Sequence, residues 1–164
     1  MNPCKSSGIR KILGQKEGYI VAIRILIVDD FEPWRISVRS ILKRNPQFRV
    51  IGEARDGIEA IEKAATLRPD VVLLDIGMPR LNGIEAAKQI RQACRESKII
   101  FLTQEDRSDV QSVALDTGAV AYLLKSTAAT KLLPTIEWAM LHEKPHALQP
   151  QQTSRQAVIL SSEY

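Results

Sequence analysis

Residues 71–83 read VVLLDIGMPRLNG, and the order of those residues decides the fold. A run of four apolar residues opening on two valines suits a strand covered on both faces, since a half-solvated strand would alternate. The run stops abruptly at Asp75. Met78-Pro79 marks a loop, and Asn82 followed by Glu85 three positions on marks a helix start. An Asn side chain there can accept the first free amides, and the acid sits at the positive end of the helix dipole. Strand, polar residue, loop and capped helix make the first half of a βαβ unit.

Outward from this stretch the pattern repeats. Strand-like runs occur at Ile23–Val28, Arg49–Ala54, Ile99–Leu102 and Val120–Leu124. Helical periodicity fills the gaps: Pro33–Arg44 puts Trp34, Val38, Ile41 and Leu42 on one face, and Gly57–Leu67 does so with Ile58, Ile61 and Ala65. Gly83–Ala93 and Ser108–Thr117 follow the same rule, with Asp56 and Glu59 marking another capped start. Gly118 suits a left-handed cap after the fourth helix. A last helix is expected over about Ala128–Leu141, starting late or kinking at Pro134. Five strands alternating with helices predict an α/β fold, a doubly wound parallel sheet with right-handed crossovers and helices on both faces.

The chain has 164 residues, 45% hydrophobic and 26% charged, the profile of one soluble globular domain. No apolar stretch approaches the roughly 20 residues of a membrane span, and no secretory signal opens the chain, so a cytoplasmic protein with no membrane partner is expected. Two cysteines, Cys4 and Cys94, form neither a disulfide framework nor a zinc pattern. The net charge of +4 lies entirely within residues 1–24, where Lys5, Arg10, Lys11, Lys16 and Arg24 face only Glu17. The remainder is balanced, so direct DNA binding by a basic groove is not expected. Residues 1–21 read as a basic flexible arm, residues 22–142 as the folded domain, and residues 143–164 as a flexible tail rich in Gln, Pro and Ser. Val21, where patterned sequence begins, is an alternative start to Met1.

The residues that end the strands carry the chemistry. The first ends in Asp29-Asp30, the third in Asp75, the fourth in Thr103 and the fifth in Lys125. Open α/β sheets bind ligands outside the carboxyl ends of their strands, where strand order reverses. With the first and third strands adjacent, three carboxylates converge there and repel unless a cation joins them. Oxygen-only ligands favour a hard ion such as Mg²⁺. Such a site suits phosphoryl transfer, with Lys125 neutralising charge and Asp75, on the central strand, as nucleophile.

ILIVDD at Ile25–Asp30, VVLLDIGMPRLNG at Val71–Gly83, Thr103, and AYLLK at Ala121–Lys125 together resemble the receiver domain of bacterial two-component response regulators. The likeness spans about residues 22–142 and is strongest to the subgroup that carries a LuxR-type helix-turn-helix. It implies a flavodoxin-like five-stranded sheet of order 2-1-3-4-5. It further implies that Asp75 is the phosphoacceptor, that Asp30 binds Mg²⁺ directly and Asp29 through water or by orienting the site, and that Gly77 gives the metal a backbone carbonyl. Lys125 then pairs with the carboxylate and the phosphoryl group, Thr103 hydrogen-bonds a phosphoryl oxygen, and Tyr122 turns inward when Thr103 moves. The implied partners are a sensor histidine kinase or phosphotransfer protein and an unknown downstream protein. The implied switching surface is helix four, strand five and helix five, through which a homodimer could also form.

Several residues depart from the family pattern. Gln104 follows Thr103 where a small residue is commoner, Gly77 has no side chain to handle water, and Ser126 stands where a proline in a cis bond is frequent. Only 22 residues follow His142, fewer than a helix-turn-helix needs, so a stand-alone receiver is expected rather than a turnover enzyme. A phosphorylation-independent pseudo-receiver and a truncated DNA-binding regulator are the alternatives. A haloacid-dehalogenase-type phosphatase would need an acid where Gly77 stands, and phosphate-loop and dinucleotide fingerprints are absent. Trp34, Phe101 and Trp138 are expected to pack, and His142 and His146 lack a metal-binding pattern.

Overall fold

Each apolar run becomes a parallel strand in the computed structural model of the chain, which describes residues 21–142. β1 (Ile23–Val28), α1 (Glu32–Leu42), β2 (Phe48–Ala54), α2 (Gly57–Leu67), β3 (Val71–Leu74), α3 (Gly83–Ala93), β4 (Lys98–Thr103), α4 (Ser108–Asp116), β5 (Ala121–Leu124) and α5 (Ala128–Leu141) follow one another strictly. A 3-10 turn at Lys125–Thr127 leads into α5. All pairings are parallel, in the order β2-β1-β3-β4-β5. This is the flavodoxin-like doubly wound sheet, with the order reversing between β1 and β3.

Two cores, one on each face, explain the unbroken apolar runs. Ile25, Ile27, Leu73 and Ile100 point to Val38 and Leu42 of α1 and to Leu132 and Ile136 of α5. The alternate residues Leu26, Val72, Leu74 and Phe101 point to small side chains on the other helices, among them Ala60, Ala64, Ala86, Ala87 and Ala114. Alanines there let α2, α3 and α4 approach the sheet closely. Burying each large side chain stabilises the fold by about 1.5–3 kcal/mol before conformational entropy is counted.

The caps form as their spacing predicts. The Asp56 carboxylate accepts from the amides of Ile58 and Glu59, and Asn82 accepts from Glu85 N. Gly118 adopts φ +88° just past Thr117, the residue that caps α4. Gly83 has no room for any other side chain, because a Cβ would lie 1.9 Å from the Asp75 carbonyl oxygen.

Some boundaries differ from the sequence reading. α1 starts at Glu32 and stops at Leu42, because Arg44 and Asn45 bond three residues back and tighten the last turn. β2 and β4 each extend beyond their apolar runs, and β5 begins at Ala121. α5 does not start late: it runs through Pro134, on the exposed face of the helix. The Thr130 carbonyl that loses its amide partner there belongs to another exposed residue, so water can satisfy it. Among the described residues no helix is long and apolar enough to cross a membrane. The expected arm over 1–21, apart from Val21 itself, and the tail over 143–164 lie outside the described residues.

Candidate functional site

The carboxyl ends of β1 and β3 lie side by side, because Val28 pairs with Leu74 and the Val28 carbonyl accepts from Asp75 N at 3.0 Å. Asp29 follows Val28 and Asp75 follows Leu74, so two acids are delivered to one edge by strand register alone. Asp29 is 2% exposed and Asp75 6%, whereas Asp30 stands on the exposed lip. One ligand oxygen from each of the three falls within 4.8 Å of the others.

Both buried carboxylates also organise the backbone. Asp29 Oδ1 accepts from Phe31 N at 2.9 Å and turns the chain into α1. Asp75 Oδ1 accepts from Ile76 N at 2.9 Å. Lys125 arrives from the far side of the sheet, just past β5, with its side chain only 10% exposed. Its Nζ lies 2.6 Å from Asp29 Oδ2 and donates a hydrogen bond to Asp75 Oδ2 at 3.3 Å. The contact to Asp29 is ionic without the angles of a directed hydrogen bond, so Oδ2 of Asp29 is buried with no hydrogen-bond donor.

The electrostatics follow from this crowding. Burial pushes the Asp29 carboxyl above its ordinary value; the Lys125 ammonium beside it and the Phe31 amide oppose that shift, and the negative Asp75 adds to it. One ammonium faces three acids. A set of hard oxygens with surplus negative charge and an unsatisfied buried acceptor fits a divalent cation of the Mg²⁺ class.

Thr103 closes the cleft from β4. It is 2% exposed, and its hydroxyl accepts from Glu105 N at 3.3 Å. Tyr122 lies inward, its ring 6.2 Å from that of Phe101, and its hydroxyl donates to the Glu105 carbonyl at 2.7 Å. Burial first, then the acids Glu105, Asp106 and Asp75, push its phenol up to about 12. The Glu105 side chain turns to Arg107, 3.0 Å away, whose hydrogen bonds hold that carboxyl below its ordinary value. Gly77 and Gln104 line the cleft, and a side chain at Gly77 would meet open space. The described residues contain no cis peptide bond, the Lys125–Ser126 bond included.

All seven residues singled out from the sequence (Asp29, Asp30, Asp75, Gly77, Thr103, Tyr122 and Lys125) therefore gather at one end of the sheet. Two others were not singled out. Trp34, expected only to pack, also lines the cleft, and its ring centroid is 5.5 Å from Lys125 Nζ. Arg35 donates to the Asp29 carbonyl at 2.8 Å and to Glu53 at 2.9 Å, fixing the end of β1. The signal for Trp34 was its place four residues past Asp30, at the start of α1. Phe101 packs as expected, and His142 stacks on Trp138 at 4.5 Å away from any acid cluster. His146 lies outside the described residues.

Comparison with known proteins agrees with this geometry. Residues 25–137 match the response regulator receiver domain family. The chain is 40% identical over 117 residues to the transcriptional regulatory protein LiaR of Bacillus subtilis (strain 168), covering 71% of this chain and 56% of that protein. It spans about half the length of the curated relatives it matches. The response regulator domain of Thermotoga maritima CheB superposes with a TM-score of 0.70 at 37% identity, covering 74% of this chain and 98% of that one. A CheX–CheY–BeF3–Mg²⁺ complex from Borrelia burgdorferi superposes with a TM-score of 0.69 at 25% identity, covering 73% and 90%.

Proposed function

The chain belongs to the response regulator receiver domain family, and from that premise we propose that it accepts a phosphoryl group on Asp75 from a sensor histidine kinase or phosphotransfer protein. The observation that carries this reading is Lys125, which reaches both Asp29 and Asp75 where three carboxylates meet. A carboxylate oxygen of Asp75 attacks phosphorus in line; the O–P bond forms as the P–N bond of phosphohistidine breaks, and the imidazole leaves with the electron pair and takes up a proton. Asp29, Asp30, Asp75 and the Gly77 carbonyl would hold Mg²⁺, which when bound neutralises charge on the phosphoryl oxygens. The relative solved with BeF3 and Mg²⁺ supports that choice of ion.

The chain's own residues do the rest. Lys125 moves from the carboxylates to a phosphoryl oxygen. Thr103 donates its hydroxyl proton to another phosphoryl oxygen, pulling on the β4–α4 connection whose Glu105 carbonyl is tied to Tyr122. That coupling biases the face formed by α4, β5 and α5 between two arrangements. Output is then by protein contacts of this face, with a second copy or a downstream protein, from a receiver over residues 22–142 working in the cytoplasm and not as an enzyme with turnover on a small substrate.

The test is intact mass after incubation with phosphoramidate and Mg²⁺. One phosphoryl mass is expected on the wild type and none on Asp75→Asn or in chelator. A folded wild type that gains nothing, from this donor and from a kinase, would overturn the reading in favour of a phosphorylation-independent interaction module.

A further inference from the structure

We propose that Trp34 is a positioning residue for Lys125, its indole face holding the ammonium over the acid cluster when a divalent cation occupies that cluster. This rests on the reading of Asp75 as phosphoacceptor and of the three acids as cation ligands. Lys125 Nζ lies 2.6 Å from Asp29 Oδ2, 3.3 Å from Asp75 Oδ2 and 5.5 Å from the centroid of the Trp34 ring. The ring distance is within the range at which an aromatic face attracts a cation.

The two oxygens and the ring respond differently to a metal. Both oxygens belong to carboxylates that the cation would bind. Its arrival lowers the cluster's formal charge from three negatives to one and adds a positive centre that repels the ammonium. The attraction of Lys125 to Asp29 and Asp75 therefore weakens at the moment the site becomes competent. The quadrupole of the indole is not consumed by the cation, so it keeps the ammonium beside the phosphoacceptor.

Trp34 is itself tied to the same strand end. It lies between Pro33, at the first positions of α1, and Arg35, which bonds the Asp29 carbonyl and Glu53. Its backbone amide donates to the Phe31 carbonyl at 3.0 Å, and Phe31 N in turn donates to Asp29. The indole is thus indexed to Asp29 by two successive hydrogen bonds, Trp34 N to the Phe31 carbonyl and Phe31 N to Asp29 Oδ1. A Leu in its place would keep an apolar contact without a cation-attracting face.

The experiment compares wild type, Trp34→Phe and Trp34→Leu in two measurements, with thermal unfolding in parallel to confirm that each is folded. The first is Mg²⁺ affinity against the maximal rate of phosphorylation by phosphoramidate. Equal Mg²⁺ affinity in all three is expected, with a roughly tenfold slower maximal rate for Trp34→Leu and most of it recovered by Trp34→Phe. A Leu variant as fast as wild type, or Phe and Leu variants equally slow, overturns the inference, as does a parallel loss of Mg²⁺ affinity. The second measurement needs no phosphorylation: the ε-CH₂ protons of Lys125, assigned by their loss in Lys125→Met, should keep an upfield ring-current shift at saturating Mg²⁺ and lose it in Trp34→Leu. Disappearance of that shift when Mg²⁺ binds the wild type overturns the inference. Failure of the wild type to accept a phosphoryl group while the shift persists instead counts against the phosphoacceptor reading alone.

Discussion

Lys125 Nζ stands 2.6 Å from Asp29 Oδ2, closer than it stands to Asp75 at 3.3 Å. The side chain proposed to serve Asp75 as phosphoacceptor therefore leans on the neighbouring acid. The lean follows from burial: Asp29, at 2% exposure, is the more enclosed of the two carboxylates and has the greater need of a counter-charge.

Asp29→Asn should accordingly stabilise the metal-free protein. Burial raises the Asp29 carboxyl above its unfolded value of 3.8. A raised acid contributes stability that is fully present below the unfolded value and is lost as pH rises through the folded one. Near neutral pH the ionised group works against the fold, and an amide of the same shape removes that opposition while still accepting from Phe31 N. The melting temperature in chelator is expected to rise by a few degrees, and the stabilisation by added Mg²⁺ to shrink. A fall in chelator would show that Lys125 more than offsets the burial.

Lys125→Met should act in the opposite sense. It leaves Asp29 and Asp75 without their cation, and the expected cost is about 2 kcal/mol, below the ~3–5 kcal/mol of a fully enclosed pair because the cleft is open to water. Mg²⁺ supplies the missing positive charge, so the rise in melting temperature on adding Mg²⁺ should be larger for this variant than for the wild type. An equal rise in both would argue that the cation binds elsewhere.

The contrast between these residues and Trp34 marks where the sequence stops being legible. Asp29, Asp75, Thr103 and Lys125 each terminate an apolar run, and a parallel sheet carries all such ends to one edge whatever the helices do. Trp34 and Arg35 act across the chain, and their contacts depend on how α1 is rotated and where it starts, which periodicity fixes only to within a residue or two. Strand order was not local information either. The runs are apolar on both faces and carry no alternation to set neighbours, so the order 2-1-3-4-5 came from the resemblance of the motifs. At Pro134 the late start that helix breaking suggests does not occur, because the Thr130 carbonyl freed there belongs to an exposed residue, which periodicity alone does not show.

Asp56 tests the local reasoning independently of any function. Its Oδ1 caps α2 through Ile58 N and Glu59 N, both at 2.9 Å, and its Oδ2 pairs with Arg80. Asp56→Ala should cost about 1–2 kcal/mol in chemical denaturation from the lost cap. Asp56→Asn keeps an acceptor for the two amides and should recover most of it. Equal loss in both variants would assign the stability to the Arg80 pair rather than the cap.

Tyr122 offers a pH window free of the carboxylates. Its phenol is pushed up to about 12 from 10.0 by burial and by the acids around it. The sign is that of a raised acid: its contribution is complete below pH 10 and is lost as pH rises through about 12, where the phenolate forms beside the Glu105 carbonyl it had donated to. Stability measured by denaturant between pH 9 and 12 should therefore fall more steeply for the wild type than for Tyr122→Phe, which has no proton to lose. Ultraviolet titration of the two proteins should place the missing ionisation near 12. Superimposable stability curves would mean that the Tyr122 hydroxyl is free of Glu105 in solution, and the proposed coupling between Thr103 and the β5 face would then lack its link.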